Sequence, residues 1–182
     1  HSVKTLLEIG IQPDILIIRS HAGVSREIKE KIALFCNVQT NCVVSAKDVP
    51  TIYQVPLELE SEGLDEIVVN KLHIKNGKPN LTKWKNLVKK INEPKNTVTV
   101  GVCGKYNMVP DAYKSILEAF VHAGAENDVK VNIKWISAQD LEKDNNTAKY
   151  LTGINGVLVP YGFGERGTEG KIRAIRYVRE KK

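Results

Sequence analysis

Apolar positions follow two rhythms along the chain, and their alternation predicts its elements. Residues 14–19 form a short, nearly continuous apolar run, which predicts a strand buried on both faces and therefore a parallel sheet. Ser25 stands where it would cap a helix reaching Phe35, with Ile28, Ile32 and Phe35 on one side and Glu27, Lys29, Glu30 and Lys31 largely outside. Residues 42–45 predict the next buried strand, so the order strand, helix, strand makes a βαβ unit. Helical stretches follow at 52–62, which contains Pro56, and at 64–72. Asn80 is placed to cap a basic amphipathic helix at 81–91, with Leu81, Trp84, Leu87, Val88 and Ile91 as its apolar stripe.

A polar break at 92–96 (Asn-Glu-Pro-Lys-Asn) interrupts both rhythms and predicts a domain boundary. A second α/β pattern starts beyond it. A strand is expected at 97–102, a helix opened by Pro110 to about Ala125, and an alternating strand at 129–136. A helix start is expected at Ser137, a buried strand at 156–160, and a final helix through 172–182. This is the beginning of an open, doubly wound sheet, in which ligands bind beyond the carboxyl ends of the strands. Two loops fall there, 104–110 and 160–168, and the second carries three glycines into a helix start. Glycine lets backbone N–H groups turn onto a ligand, and the helix dipole favours negative charge.

Composition narrows the class without deciding it. The 182 residues are 42% hydrophobic and 26% charged, as in globular proteins, and no apolar run approaches the ~20 residues a bilayer needs. The net charge of +6 could mark a nucleic-acid binder, but residues 1–96 hold 14 basic and 11 acidic residues against 13 and 10 in the remainder. An excess spread so evenly gives no concentrated electrostatic footprint, and neither nucleic acid nor membrane is expected as a partner. Cys36, Cys42 and Cys103 lack metal-ligand spacing and read as buried free thiols of a reducing compartment. His1 opens the chain without an initiator Met, and the last helix is still running at Lys182, so a piece of a longer polypeptide is expected.

Several motifs, in one order, then point to a family. Gly104-Lys-Tyr106, Pro110-Asp-Ala-Tyr-Lys-Ser115, Val157-Leu-Val-Pro160, Gly162-Phe-Gly164 and Arg166-Gly-Thr-Glu-Gly170 resemble the opening of the glutaminase domain of CTP synthases. Ile9-Gly-Ile-Gln-Pro-Asp14, Lys31-Ile-Ala-Leu-Phe-Cys-Asn-Val38 and Lys47-Asp-Val49 resemble the end of the amidoligase domain of the same family. The resemblance implies two incomplete parallel-sheet α/β units: a P-loop-like amidoligase end at 1–91, a linker at 92–96, and a doubly wound class I glutaminase start at 97–182. It implies a parent that makes CTP from UTP: ATP phosphorylates the uracil 4-oxygen, and ammonia freed from glutamine by a Cys-His-Glu triad displaces that phosphate. It also implies Mg2+ as cofactor with ligands outside this chain, GTP as activator, CTP as feedback inhibitor, a homotetramer and a cytoplasmic location. The alternative class is a non-enzymatic nucleotide-binding or regulatory module that retains the fold.

By the same resemblance, Lys31 and His1 match positions at the UTP and CTP site. Lys47, Asp48 and Val49 match the segment that reads ATP adenine, and Arg19 an arginine near that base. Gly162 matches a glycine that contacts substrate glutamine, while Lys105, Tyr106 and Lys114 match positions facing the glutaminase site or GTP. No catalytic residue is expected here, since Cys103 sits before Gly-Lys-Tyr and not where the nucleophile belongs, and the isolated chain is expected to be inactive. One position departs from the pattern: Tyr161 stands where the family has the first glycine of Gly-Gly-Phe-Gly, in the oxyanion region. A side chain there is expected to add bulk, strain the backbone and impair glutaminase chemistry, unless the ring tucks aside.

Overall fold

A computed structural model describes residues 1–75, 77, 79–106, 109–144 and 146–181. The fold is α/β, with one parallel sheet in each of two compact units, His1–Asn92 and Glu93–Lys182.

The first unit begins with helix α1 (Ser2–Glu8), strand β1 (Leu16–Ser20) and helix α2 (Arg26–Cys36). A 3-10 turn (Thr40–Cys42) leads into strand β2 (Val43–Lys47), and a second (Ile52–Gln54) into helices α3 (Val55–Ser61), α4 (Leu64–Lys71) and α5 (Thr82–Asn92). β1 and β2 run parallel, in register from Leu16 opposite Val43 to Ser20 opposite Lys47. The capping signals act as expected: Ser25 Oγ accepts from the Ile28 N–H, and Asn80 Oδ1 accepts from the Thr82 N–H.

Three expectations of burial are corrected here. β2 is the buried strand, through Val43, Val44 and Ser45, whereas β1 buries only one side and leaves Ile17 54% exposed. A two-stranded sheet covers too little area to enclose both faces of each strand. On α2 the inward side is Ala33 with Lys29, not Ile28 and Phe35; Leu34 and Phe35 are 80% and 85% exposed. This rotation lets Lys29 Nζ donate to the Glu62 carboxylate, whose same oxygen accepts from the Ser45 N–H at 2.8 Å. Glu62 thereby satisfies a backbone amide of β2. Cys36 is only half-buried, so the expectation of three buried thiols holds for Cys42 and Cys103 alone.

The second unit runs from strand β3 (Asn96–Gly104) through a 3-10 turn (Pro110–Tyr113) to helix α6 (Lys114–Glu126) and strand β4 (Val129–Ser137). Helices α7 (Ala138–Lys143) and α8 (Thr147–Leu151), strand β5 (Gly156–Leu158) and helix α9 (Thr168–Glu180) complete it. The sheet order is β4-β3-β5, all parallel. Its core packs Cys103, Ile136, Ala138, Leu141, Leu151 and Ala174, each at most 5% exposed. Close approach is possible because two helix glycines lack a Cβ. One added at Gly170 would stand 1.8 Å from the Ala138 carbonyl oxygen, and one at Gly124 would stand 2.5 Å from that of Val129.

Candidate functional site

The carboxyl ends of β1 and β2 open onto a cavity of about 400 Å3 lined by Arg19, Lys47, Asp48, Val49 and Glu58, with Ile52, Val55 and Leu59 as apolar wall. The four residues that the family resemblance links to ATP are thus brought to one space. Parallel pairing does this directly, because Arg19 lies opposite Ala46 and Ser20 opposite Lys47 at the end of the ladder. One further bond, from the Asp48 N–H to the Ser20 carbonyl at 3.1 Å, carries the pairing to the rim.

The charges around this cavity are paired. Asp48 faces Arg19 Nε at 3.5 Å through one oxygen and His21 Nδ1 at 3.2 Å through the other. Lys47 Nζ lies 3.0 Å from Glu58 Oε2, and Gln54 Nε2 donates to Glu58 Oε1 at 2.9 Å. The bond from Gln54, then that from Lys47, holds the Glu58 carboxyl below the ordinary carboxylate value. Glu58 therefore stays ionised at neutral pH and holds Lys47 in an ion pair at the cavity lining. His21 and Glu58 carried no signal in the sequence, since the charged groups they face, Asp48 and Lys47, each lie more than ten positions away.

The other two residues matched to the UTP and CTP site do not join this group. Lys31 lies exposed on α2, and His1 lies exposed at the N-cap of α1 without a side-chain capping bond. Neither lines the cavity.

In the second unit the loop between β5 and α9 carries Tyr161 and Gly162. Three side-chain donors hold it. Lys171 Nζ donates to the Pro160 carbonyl at 2.9 Å, Lys105 Nζ donates to the Phe163 carbonyl, and the Tyr161 hydroxyl donates to the Ala112 carbonyl at 2.5 Å. The Tyr161 ring meets Tyr113 edge-on at 6.0 Å, and the fully buried Tyr113 stacks on Trp135. The bulk expected at position 161 is therefore turned aside. Nor does the backbone carry the expected strain: positive φ occurs at Gly164 and Gly167, both near +82°, and not at Tyr161.

Lys105, Tyr106, Tyr161 and Gly162 come together here, with Lys105 Nζ 5.5 Å from the centre of the Tyr106 ring. Lys114 instead pairs along α6 with Glu118 at 2.8 Å, a bond that raises its pKa. The loop at 104–110 includes residues 107 and 108, which lie outside the described residues. The helix start that the glycine pattern marks as an anion cradle is taken in part by the chain itself, because Glu142 Oε1 accepts from the Glu169 N–H at 3.2 Å. Below the loop, burial pushes the Cys103 thiol up to about 11 despite the nearby positive charge of Lys171, so it is protonated and poorly nucleophilic.

Among the described residues, no group of three or more His, Cys, Asp and Glu is placed to hold a metal ion, and no helix is long and apolar enough to cross a membrane.

Comparison with known proteins adds an independent line. Residues 1–74 match the family model "CTP synthase N-terminus", and residues 108–182 match "Glutamine amidotransferase class-I". The CTP synthase of Carboxydothermus hydrogenoformans is 53% identical over 182 residues, covering 100% of this chain and 34% of the relative. That of Methanococcus maripaludis is 50% identical over 186 residues (100% and 35%), and that of Chlorobium luteolum 56% over 183 residues (99% and 31%). The chain thus spans about a third of the length of the curated relatives it matches.

Proposed function

Since this chain belongs to the CTP synthase family, we propose that the protein it represents aminates UTP to CTP at the expense of ATP, taking nitrogen from glutamine or free ammonia. The observation that carries the reading is the convergence of Arg19, Lys47, Asp48 and Val49 on one cavity in a chain whose two ends match the two halves of that enzyme. In this reading the backbone of 47–49 meets adenine and the Arg19 plane stacks on it. Glu58 neutralises the Lys47 ammonium at the edge of the base pocket. Lys31 and His1 contribute to a UTP or CTP site completed by residues outside this chain.

The loop at 160–164 belongs to the glutamine-hydrolysing half. Gly162 lies against substrate glutamine, and backbone N–H groups at 161 and 162 are available to a developing oxyanion. Lys105 and Tyr106 border the same loop, where a GTP activator would act, and Lys114 lies further along α6. ATP requires Mg2+, which no residue of this chain is proposed to hold. CTP as feedback inhibitor, a homotetramer and a cytoplasmic location complete the reading.

The test is formation of CTP by the full-length protein with ATP, UTP, Mg2+ and either donor. CTP is expected from both. The 182-residue chain alone is expected to form none and to leave glutamine intact. Turnover by that chain, abolished by Lys31→Ala, would overturn the division of labour proposed here.

A further inference from the structure

The peptide between Pro160 and Tyr161 is gripped from one end. Its carbonyl oxygen accepts from Lys171 Nζ at 2.9 Å, in a half-buried bond that reaches from the first turn of α9. A peptide unit is planar, and in the trans form its N–H points opposite to its C=O. No cis peptide occurs among the described residues. Whatever fixes the Pro160 oxygen therefore fixes the direction of the Tyr161 N–H.

The placement of Lys171 is unexpected on other grounds. A cation in the first turn of a helix faces the positive end of the helix dipole. Nor is Lys171 among the residues that pair with carboxylates in the ion pairs described above. Its ammonium instead lies 3.1 Å from the point a Cβ on Gly162 would occupy, and Lys105 Cε lies 3.0 Å from the same point. The absence of a side chain at 162 thus makes room for the Lys105 stem and the Lys171 ammonium under the loop.

We propose that Lys171 is a positioning residue for glutamine hydrolysis, acting through the Pro160 carbonyl to aim and polarise the Tyr161 N–H toward the oxyanion. A cation on the carbonyl end draws electron density along the peptide and makes the N–H at the other end a stronger donor. In a preorganised site that donor is already in place when charge develops. The Tyr161 hydroxyl on Ala112 and Lys105 on Phe163 fix the flanking parts of the same loop, so the three contacts form one clamp. The inference rests on the function proposed above.

The experiment compares the full-length enzyme with its Lys171→Met and Lys171→Arg variants. Methionine keeps the stem and removes the charge and the donor. Loss of one oxyanion donor lowers turnover ~100- to 1,000-fold, so misaiming one is expected to lower the glutamine-dependent kcat of Lys171→Met about 10- to 100-fold. The KM for glutamine should change less than about threefold, as for an interaction made in the transition state. Ammonia-dependent CTP formation by the same preparation reports how much enzyme is folded and serves as the denominator. Lys171→Arg, which restores a charged donor, should recover most of the ratio. An unchanged ratio in Lys171→Met overturns the proposal, as does a raised KM with unchanged kcat, or an equal loss in both variants. A parent enzyme that makes CTP from neither donor overturns the function itself, and this inference with it.

Discussion

The cavity in the first unit and the loop in the second deploy charge in opposite ways. Around the cavity, carboxylates and cations face one another across a space: Asp48 between Arg19 and His21, Glu58 against Lys47. A ligand entering there finds a pre-arranged rim of side chains. At the loop, Lys105 and Lys171 are committed to the chain's own carbonyls, and the exposed side chains are the uncharged rings of Tyr161 and Phe163. The packing differs in parallel. The first unit leaves Leu34, Phe35 and Ile17 largely exposed, while the second buries Tyr113, Ile136, Ala138, Leu141 and Ala174 almost completely. Recognition by backbone needs a frame rigid enough to hold amides still.

That contrast can be broken most forcefully at Gly170. A methyl group there collides with the Ala138 carbonyl, so Gly170→Ala should cost ~3 kcal/mol or more and abolish the cooperative unfolding of the second unit. Chemical denaturation followed by Trp135 fluorescence measures it, and a wild-type midpoint would show that α7 and α9 can separate without penalty.

Next in size is Glu62→Ala, which strands Lys29 and the Ser45 N–H and should destabilise the first unit by ~2 kcal/mol. Burial alone would raise the Glu62 carboxyl, but the bonds from Lys29 and Ser45 outweigh it and hold it below its ordinary 4.5. Its stabilisation is therefore complete above that value and disappears as pH falls through the lower folded value. Glu62→Gln should flatten the acid limb of a stability profile of residues 1–92, and an identical limb would contradict the assignment.

At the cavity, Arg19→Ala in the full-length protein should raise the KM for ATP about tenfold or less, equivalent to ~1.4 kcal/mol, and leave that for glutamine alone. A rise in both would erase the distinction between the two sites. The smallest effect is expected from Tyr161→Phe, which removes only the bond to Ala112: about 1 kcal/mol of stability or below, with glutaminase near that of the parent. Tyr161→Gly with glutaminase well above the parent would restore the expectation that the ring obstructs the loop.

Much of this architecture was legible in the chain because it is local. The buried run before Lys47, the Ser25 and Ser137 caps and the stripe of α5 follow from spacing and end-group chemistry, and each appears where those rules put it. The inward side of α2 was misread because periodicity counts apolar residues and cannot know that Glu62, some thirty positions on, draws Lys29 inward. Helix α8 was missed since five residues make too short a period to register. The glycines at 124 and 170 looked like ordinary helix residues, and their need for smallness comes from backbone of another element. That Arg19 belongs with Lys47, Asp48 and Val49 was expected from resemblance to a family, not from spacing. His21, Glu58 and Lys171 carried no signal at all, because their meaning is entirely in what faces them.

The β4-β3-β5 order also sets a timetable for synthesis. β3 occupies the centre of its sheet yet is made first, and both of its partners come later, the last ending more than fifty residues beyond Gly104. At roughly 5–20 residues per second, the apolar stretch at 98–103 waits several seconds on the ribosome with neither edge paired. Pairings this distant in sequence form slowly once available. The newborn second unit is therefore a natural client for chaperones that shield unpaired strands.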